Sequence, residues 1–166
     1  MSVKKVSFLA LFTTLSLAVY AIESAVPPLV PIPGLKLGLA NIITLVLLRH
    51  FTVRDALLVL SARIILSALL FGQALSLLYS LAGGLLSLLV MALAMKLLQK
   101  HMLFLTGALG GLSHNMGQFL TACALTSGGV LPYLPFLVLS GILTGLFTGF
   151  CAGFLGKYLS PQFPPN

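Results

Sequence analysis

Six stretches of this chain, each 16 to 24 residues long, run almost free of charge. They cover approximately 6–22, 33–48, 55–71, 74–97, 102–125 and 133–156, and the breaks between them are Glu23 to Pro33, Arg49 to Arg54, Gly72-Gln73, Gln99 to His101 and Ser127 to Pro132. A helix needs about 20 apolar residues to cross the hydrocarbon core of a bilayer. The pattern therefore predicts an all-α, integral membrane six-helix bundle, a single domain over residues 1–166 with no room for a soluble one. Charge scarcity excludes the water-soluble alternative. The chain has 11 charged side chains in 166 residues, where a soluble domain of this size carries about 40.

The net charge of +7 does not point to nucleic acid, because the basic residues fall singly or in pairs between apolar blocks and form no phosphate-tracking stripe. Their placement is topological. With the N-terminus inside, the inner connections hold Lys4, Lys5, Arg49, Arg54, Lys96, Lys100 and Lys157, and the outer ones hold at most Lys36. Cytoplasmic loops collect Lys and Arg, so both termini are expected in the cytoplasm and the chain in the inner (cytoplasmic) membrane. A secretory signal is the competing account of the first stretch, with Lys4-Lys5 as its basic start and Val19-Tyr20-Ala21 as its small-residue site. The 17-residue block is long for that role, and a transmembrane first span is the reading adopted. Cys123 and Cys151 lie inside spans and give neither a disulfide framework nor a metal spacing.

Polar side chains inside a span are costly in lipid and face a cavity or the bundle interior. The candidates are Glu23 at the end of the first span, Lys36 and Asn41 in the second, Arg63 midway along the third, and His114, Asn115 and Gln118 in the fifth. On the predicted orientation they lie at the midplane or in the outer half, which points to a ligand site opening outward and to uptake. Arg63 is the sharpest signal: an arginine at a span centre costs about 2.5–3.5 kcal/mol on insertion scales. It demands Glu23, a carbonyl or an anionic ligand as partner. His114 and Gln118 are one helical turn apart on a shared face, with Asn115 beside them above Gly111. A polar clasp between helices is the alternative use of that trio.

Pro27, Pro28, Pro31 and Pro33 put four prolines in seven residues of the first outer loop. That density forbids a helix and favours stiff extended backbone, and its place between Glu23 and Lys36 suggests a lid. Gly141, Gly145, Gly149 and Gly153 recur every four residues in the last span, a surface for close backbone contact within the bundle or with a partner. Ala10, Thr14 and Ala18 form a smaller ridge of the same kind on the first span.

Enzymatic machinery is harder to find. Two acidic residues in the whole chain cannot build an Asp-rich diphosphate cage, and neither a Walker-type phosphate loop nor a nucleophilic triad is visible. The chain is not expected to be catalytic alone, and no cofactor or metal is called for.

Glu23 with the following prolines, the run Pro33-Gly34-Leu35-Lys36-Leu37-Gly38-Leu39-Ala40-Asn41, Arg63, Tyr79-Ser80-Leu81-Ala82-Gly83-Gly84, His114-Asn115-Met116-Gly117-Gln118 and Tyr133-Leu134-Pro135 together resemble the Gx transporter family, also known as heptaprenyl diphosphate synthase component I. The resemblance runs through nearly the whole chain. It implies a form similar to the S components of energy-coupling-factor importers, which work with a coupling subunit and two ATPases. Those often carry an Ala-x-x-x-Ala docking ridge on the first span; here the matching stretch is Ala10 to Thr14, a departure. The second family name implies instead a non-catalytic membrane subunit in menaquinone side-chain synthesis. The combined expectation is a substrate-binding importer subunit whose Glu23, Lys36, Asn41, Arg63, His114, Asn115 and Gln118 receive a small molecule. That ligand has a hydrophobic or aromatic body and some negative charge, with isoprenoid phosphates and quinone or flavin precursors as fitting examples.

Overall fold

The computed structural model describes residues 3–25, 36–71, 74–98 and 102–159. Among these, six α-helices and one 3-10 turn account for almost everything, with no strand: α1 (Val3–Ala25), α2 (Asn41–His50), α3 (Val53–Phe71), α4 (Ala74–Leu97), α5 (Leu103–Thr126), the turn Leu131–Tyr133 and α6 (Leu134–Leu159). Three helical segments, Val3–Ala25, Ala74–Leu97 and Leu131–Tyr158, are long and apolar enough to cross a membrane. Helix α3 carries Arg54, Asp55 and Arg63, and α5 carries its polar trio, which lowers their apolar character.

The second segment differs from the continuous 33–48 stretch. Its helix begins only at Asn41 and, at 10 residues, is about 15 Å long, half the hydrocarbon thickness. The cause is local. Gly38 sits at φ +83°, a left-handed conformation that glycine alone adopts without strain, and the next three amides close tight turns, Asn41 N–H to Gly38 C=O, Ile42 to Leu39 and Ile43 to Ala40. Because Leu37, Leu39 and Ala40 are apolar like a helix interior, hydropathy does not mark the break.

Polarity is arranged inside out. Glu23, Asn41, Arg63, His114, Asn115 and Gln118 are all buried, while Ile22, Leu69, Leu89, Leu143 and Phe150 stand exposed. An apolar exterior around a polar interior is the arrangement a lipid solvent favours and water penalises.

Helix α5 is the central element, packed on α6 on one flank and α4 on the other. The α5–α6 seam is glycine against glycine. A methyl group on Gly145 would stand 2.7 Å from Ala108 Cα, and one on Gly111 would stand 2.7 Å from Gly145 Cα, so the backbones touch with no room for a side chain. Gly141 and Gly149 continue this seam, whereas Gly153 does not: a Cβ there meets nothing closer than Leu103 Cδ1 at 3.8 Å. Ala10, Thr14 and Ala18 lie on the exposed side of α1.

The two ends of the bundle are tied differently. At one, Thr52 and Asp55 cap α3 reciprocally: the Thr52 hydroxyl donates to Asp55 Oδ2 at 2.7 Å and accepts from the Asp55 N–H at 3.3 Å. Lys5 adds an ion pair to the same carboxylate oxygen at 2.8 Å, joining α1 to α3. At the other end the Tyr20 and Ser76 hydroxyls share a 2.7 Å hydrogen bond between α1 and α4.

Candidate ligand site

The break before α2 makes the site. Glu23, near the end of α1, accepts the Gly38 N–H at 2.6 Å, so the carboxylate rests on backbone just ahead of the α2 N-terminus, where the helix dipole favours negative charge. Gln118 of α5 accepts the Lys36 N–H at 3.0 Å through Oε1. That bond fixes the amide orientation, leaving its Nε2 to face His114 Nε2 at 2.6 Å. An amide nitrogen only donates, so His114 Nε2 accepts and the ring proton resides on Nδ1. Gly38 is locked against this imidazole, since a Cβ there would lie 2.5 Å from His114 Cδ2.

Two cations share one aromatic ring. Lys36 Nζ lies 3.2 Å from the Tyr20 centroid and donates to the Ser24 hydroxyl, and the Arg63 guanidinium carbon lies 5.5 Å from the same centroid. Cation–π attraction of this kind is worth about 2 kcal/mol when desolvated. Among the described residues, Glu23 makes no ion pair within 4.0 Å with either cation. Arg63 Nε, Asn41 Nδ2 and, in the tautomer that Gln118 sets, His114 Nδ1 are buried donors without a hydrogen-bond partner there. Buried donors are rarely left so.

These groups line one cavity: Tyr20, Glu23, Lys36, Gly38, Ala40, Asn41, Arg63, Ser80, His114 and Gln118. Its volume of about 10 Å³ holds about one water. A molecule of organic size does not fit within that volume.

Six of the seven residues expected from sequence line the cavity, and Asn115 does not. Its amide donates to Leu137 C=O at 2.8 Å and to Ser140 Oγ at 3.0 Å, clasping α5 to α6. Successive helical residues point about 100° apart, so Asn115 shares the face of Gly111, which is the α6 seam, and not that of His114. Tyr20 and Ser80 line the cavity without having been singled out. Tyr20 precedes Glu23 by three residues on one helical face, the one signal that could have found it. Pro27, Pro28, Pro31 and Pro33 lie outside the described residues.

The family model of heptaprenyl diphosphate synthase component I matches residues 12–155. The chain belongs to this family. Neither a curated protein nor a solved structure matches the chain. The family match takes in every residue lining the Arg63 cavity.

Proposed function

We infer that this component I chain is the ligand-binding subunit of a small-molecule importer, built as six membrane spans with both termini in the cytoplasm. The observation that carries the reading is Arg63: an arginine 3% exposed at the middle of α3, its Nε without a partner among the described residues, facing a cavity with Asn41, Lys36 and Glu23. A structural arginine at that depth would be expected to have its donors satisfied; one that waits for an anion would not. A ligand carboxylate or phosphate would take up the Arg63 and Asn41 donors and displace Glu23 from Gly38. The apolar helices around the cavity suit a hydrophobic or aromatic body. The exposed ridge of Ala10, Thr14 and Ala18 is the face offered to a coupling subunit with its ATPases.

The family's name favours a second reading, in which the chain is a non-catalytic membrane component of a heptaprenyl diphosphate synthase. Catalysis by the chain itself is opposed by its carboxylates. Asp55 pairs with Lys5, and Lys5 and Glu23 are 18 residues apart on α1, about 27 Å. Prenyl transfer at a paired magnesium site would have to reside in a partner.

The experiment is small-molecule extraction from protein purified in mild detergent, read by mass spectrometry, for wild type, Arg63→Ala and His114→Ala. A compound retained by wild type and lost from both variants supports the importer reading; equal recovery from all three removes it. Adding the chain to a soluble polyprenyl synthase and finding that product formation requires it would favour the second.

A further inference from the structure

The end of the bundle opposite the Arg63 cavity carries a second concavity that the importer reading does not use. A groove of about 320 Å³ runs between the end of α6, the start of α5 and the end of α2. Arg49 and Lys157 stand at its mouth, and Phe104, Phe150 and Phe154 form its wall. The two cations come from different helices and are brought together by a gap in α6: a Cβ on Gly156 would lie 3.3 Å from Arg49 Nη1, so the guanidinium lies against bare backbone next to Lys157. Neither cation is in an ion pair among the described residues, and the chain's two acidic side chains are committed elsewhere, Asp55 to Lys5 and Glu23 to Gly38. The three phenylalanines are each more than half exposed, so the slot opens sideways onto the surface that hydrocarbon would cover.

We propose that this groove binds an anionic glycerophospholipid, its phosphate between Arg49 and Lys157 and one acyl chain along the phenylalanine wall. A free phosphate would use the cations and leave the wall idle. A zwitterionic lipid would use the wall while bringing its own positive charge to the mouth. An anionic membrane lipid satisfies both, and basic pockets between helices at a cytoplasmic face bind such head groups. Gly153 lines the groove, and a Cβ there would make only an ordinary contact with the Leu103 side chain at 3.8 Å, whereas Gly145 and Gly149 are packed against α5 backbone.

The test is native mass spectrometry of the full chain in a non-ionic detergent, titrated separately with phosphatidylglycerol, phosphatidylcholine, inorganic phosphate and farnesyl diphosphate. Phosphatidylglycerol is expected to bind most tightly. Arg49→Gln with Lys157→Gln is expected to weaken it by roughly thirty-fold, about five-fold per cation. Gly153→Leu, which fills the slot and leaves both charges, is expected to weaken it as well. Lys96→Gln, a cation on α4 away from the groove, should change nothing. Thermal midpoints within a degree or two of wild type establish that the variants are folded. Equal binding of the two phospholipids, an unaffected double variant, or a loss in Lys96→Gln as large as in the double variant overturns the proposal. So does tight, groove-dependent binding of phosphate or farnesyl diphosphate in place of phosphatidylglycerol.

Discussion

Replacing Gly38 by alanine tests whether the cavity is built on the break before α2. Two costs arise. The backbone at φ +83° penalises any Cβ by about 1–2 kcal/mol. The methyl group also lands 2.5 Å from His114 Cδ2 and 2.9 Å from His114 Nε2, and overpacking of a filled interior costs about 1–3 kcal/mol. The imidazole cannot retreat freely, because it is bonded to Gln118, which in turn holds the Lys36 N–H. Gly128 supplies the control: its φ is +86°, but among the described residues a Cβ there meets only Leu131 Cδ1 at 3.6 Å. Gly128→Ala carries the backbone penalty alone, and the entropy that alanine removes from the unfolded chain is common to both variants. Thermal unfolding in detergent should place Gly38→Ala below Gly128→Ala by about 1–3 kcal/mol, roughly 2–12 °C. Equal midpoints for the two alanine variants would refute the claim that Gly38 is clamped against His114.

Three further outcomes follow from the same geometry. Gly145→Leu, forced into Ala108 Cα at 2.7 Å, should separate α5 from α6 and lower stability by about 3 kcal/mol or more, while Gly153→Leu retains it; equal losses would contradict the seam. In a background with Cys123 and Cys151 replaced by serine, a single cysteine at Ser127 should react with an impermeant maleimide added outside intact cells, and one at Lys5 only after permeabilisation. The reverse pattern would invert the orientation. His50, at the end of α2, is held below the ordinary imidazole range by burial and then by Arg49. The unfolded chain therefore takes up a proton near pH 6.5 that the folded chain resists, and wild-type stability should fall as pH drops from about 7 through 6. His50→Gln removes that contribution, so its midpoint should decline less steeply than wild type over the same window; parallel curves would exclude it.

Helix positions were legible because lipid-length apolar blocks need no partner to be recognised: 74–97 coincides with α4, and 102–125 is displaced by one residue from α5. The broken start of α2 was not, since its break is made by one positive-φ glycine among apolar neighbours that read as helix. The charged members of the cavity were legible because burial of Arg63 or Glu23 in lipid has so few explanations. Sequence adjacency grouped Asn115 with His114 and Gln118, and of the two uses open to that trio Asn115 takes the interhelical clasp, on the α6 seam that its register with Gly111 marks. Tyr20 was missed because its importance comes from Lys36, sixteen residues on across a proline-rich connection whose path no periodicity reveals.

Arg63 carries the functional account, and the thermal midpoint of ligand-free Arg63→Met tests it most directly. Methionine keeps the aliphatic bulk and removes a buried charge that has no ion pair among the described residues, while Glu23 keeps its 2.6 Å bond from Gly38. Replacing an unpaired buried charge by an apolar side chain relieves desolvation, which offsets the cation–π contact with Tyr20 that the variant loses. The account predicts a midpoint equal to or above that of wild type, together with loss of the stabilisation that wild type gains from its extracted ligand. A midpoint several degrees below wild type, with ligand stabilisation intact, would contradict it and make Arg63 a structural strut.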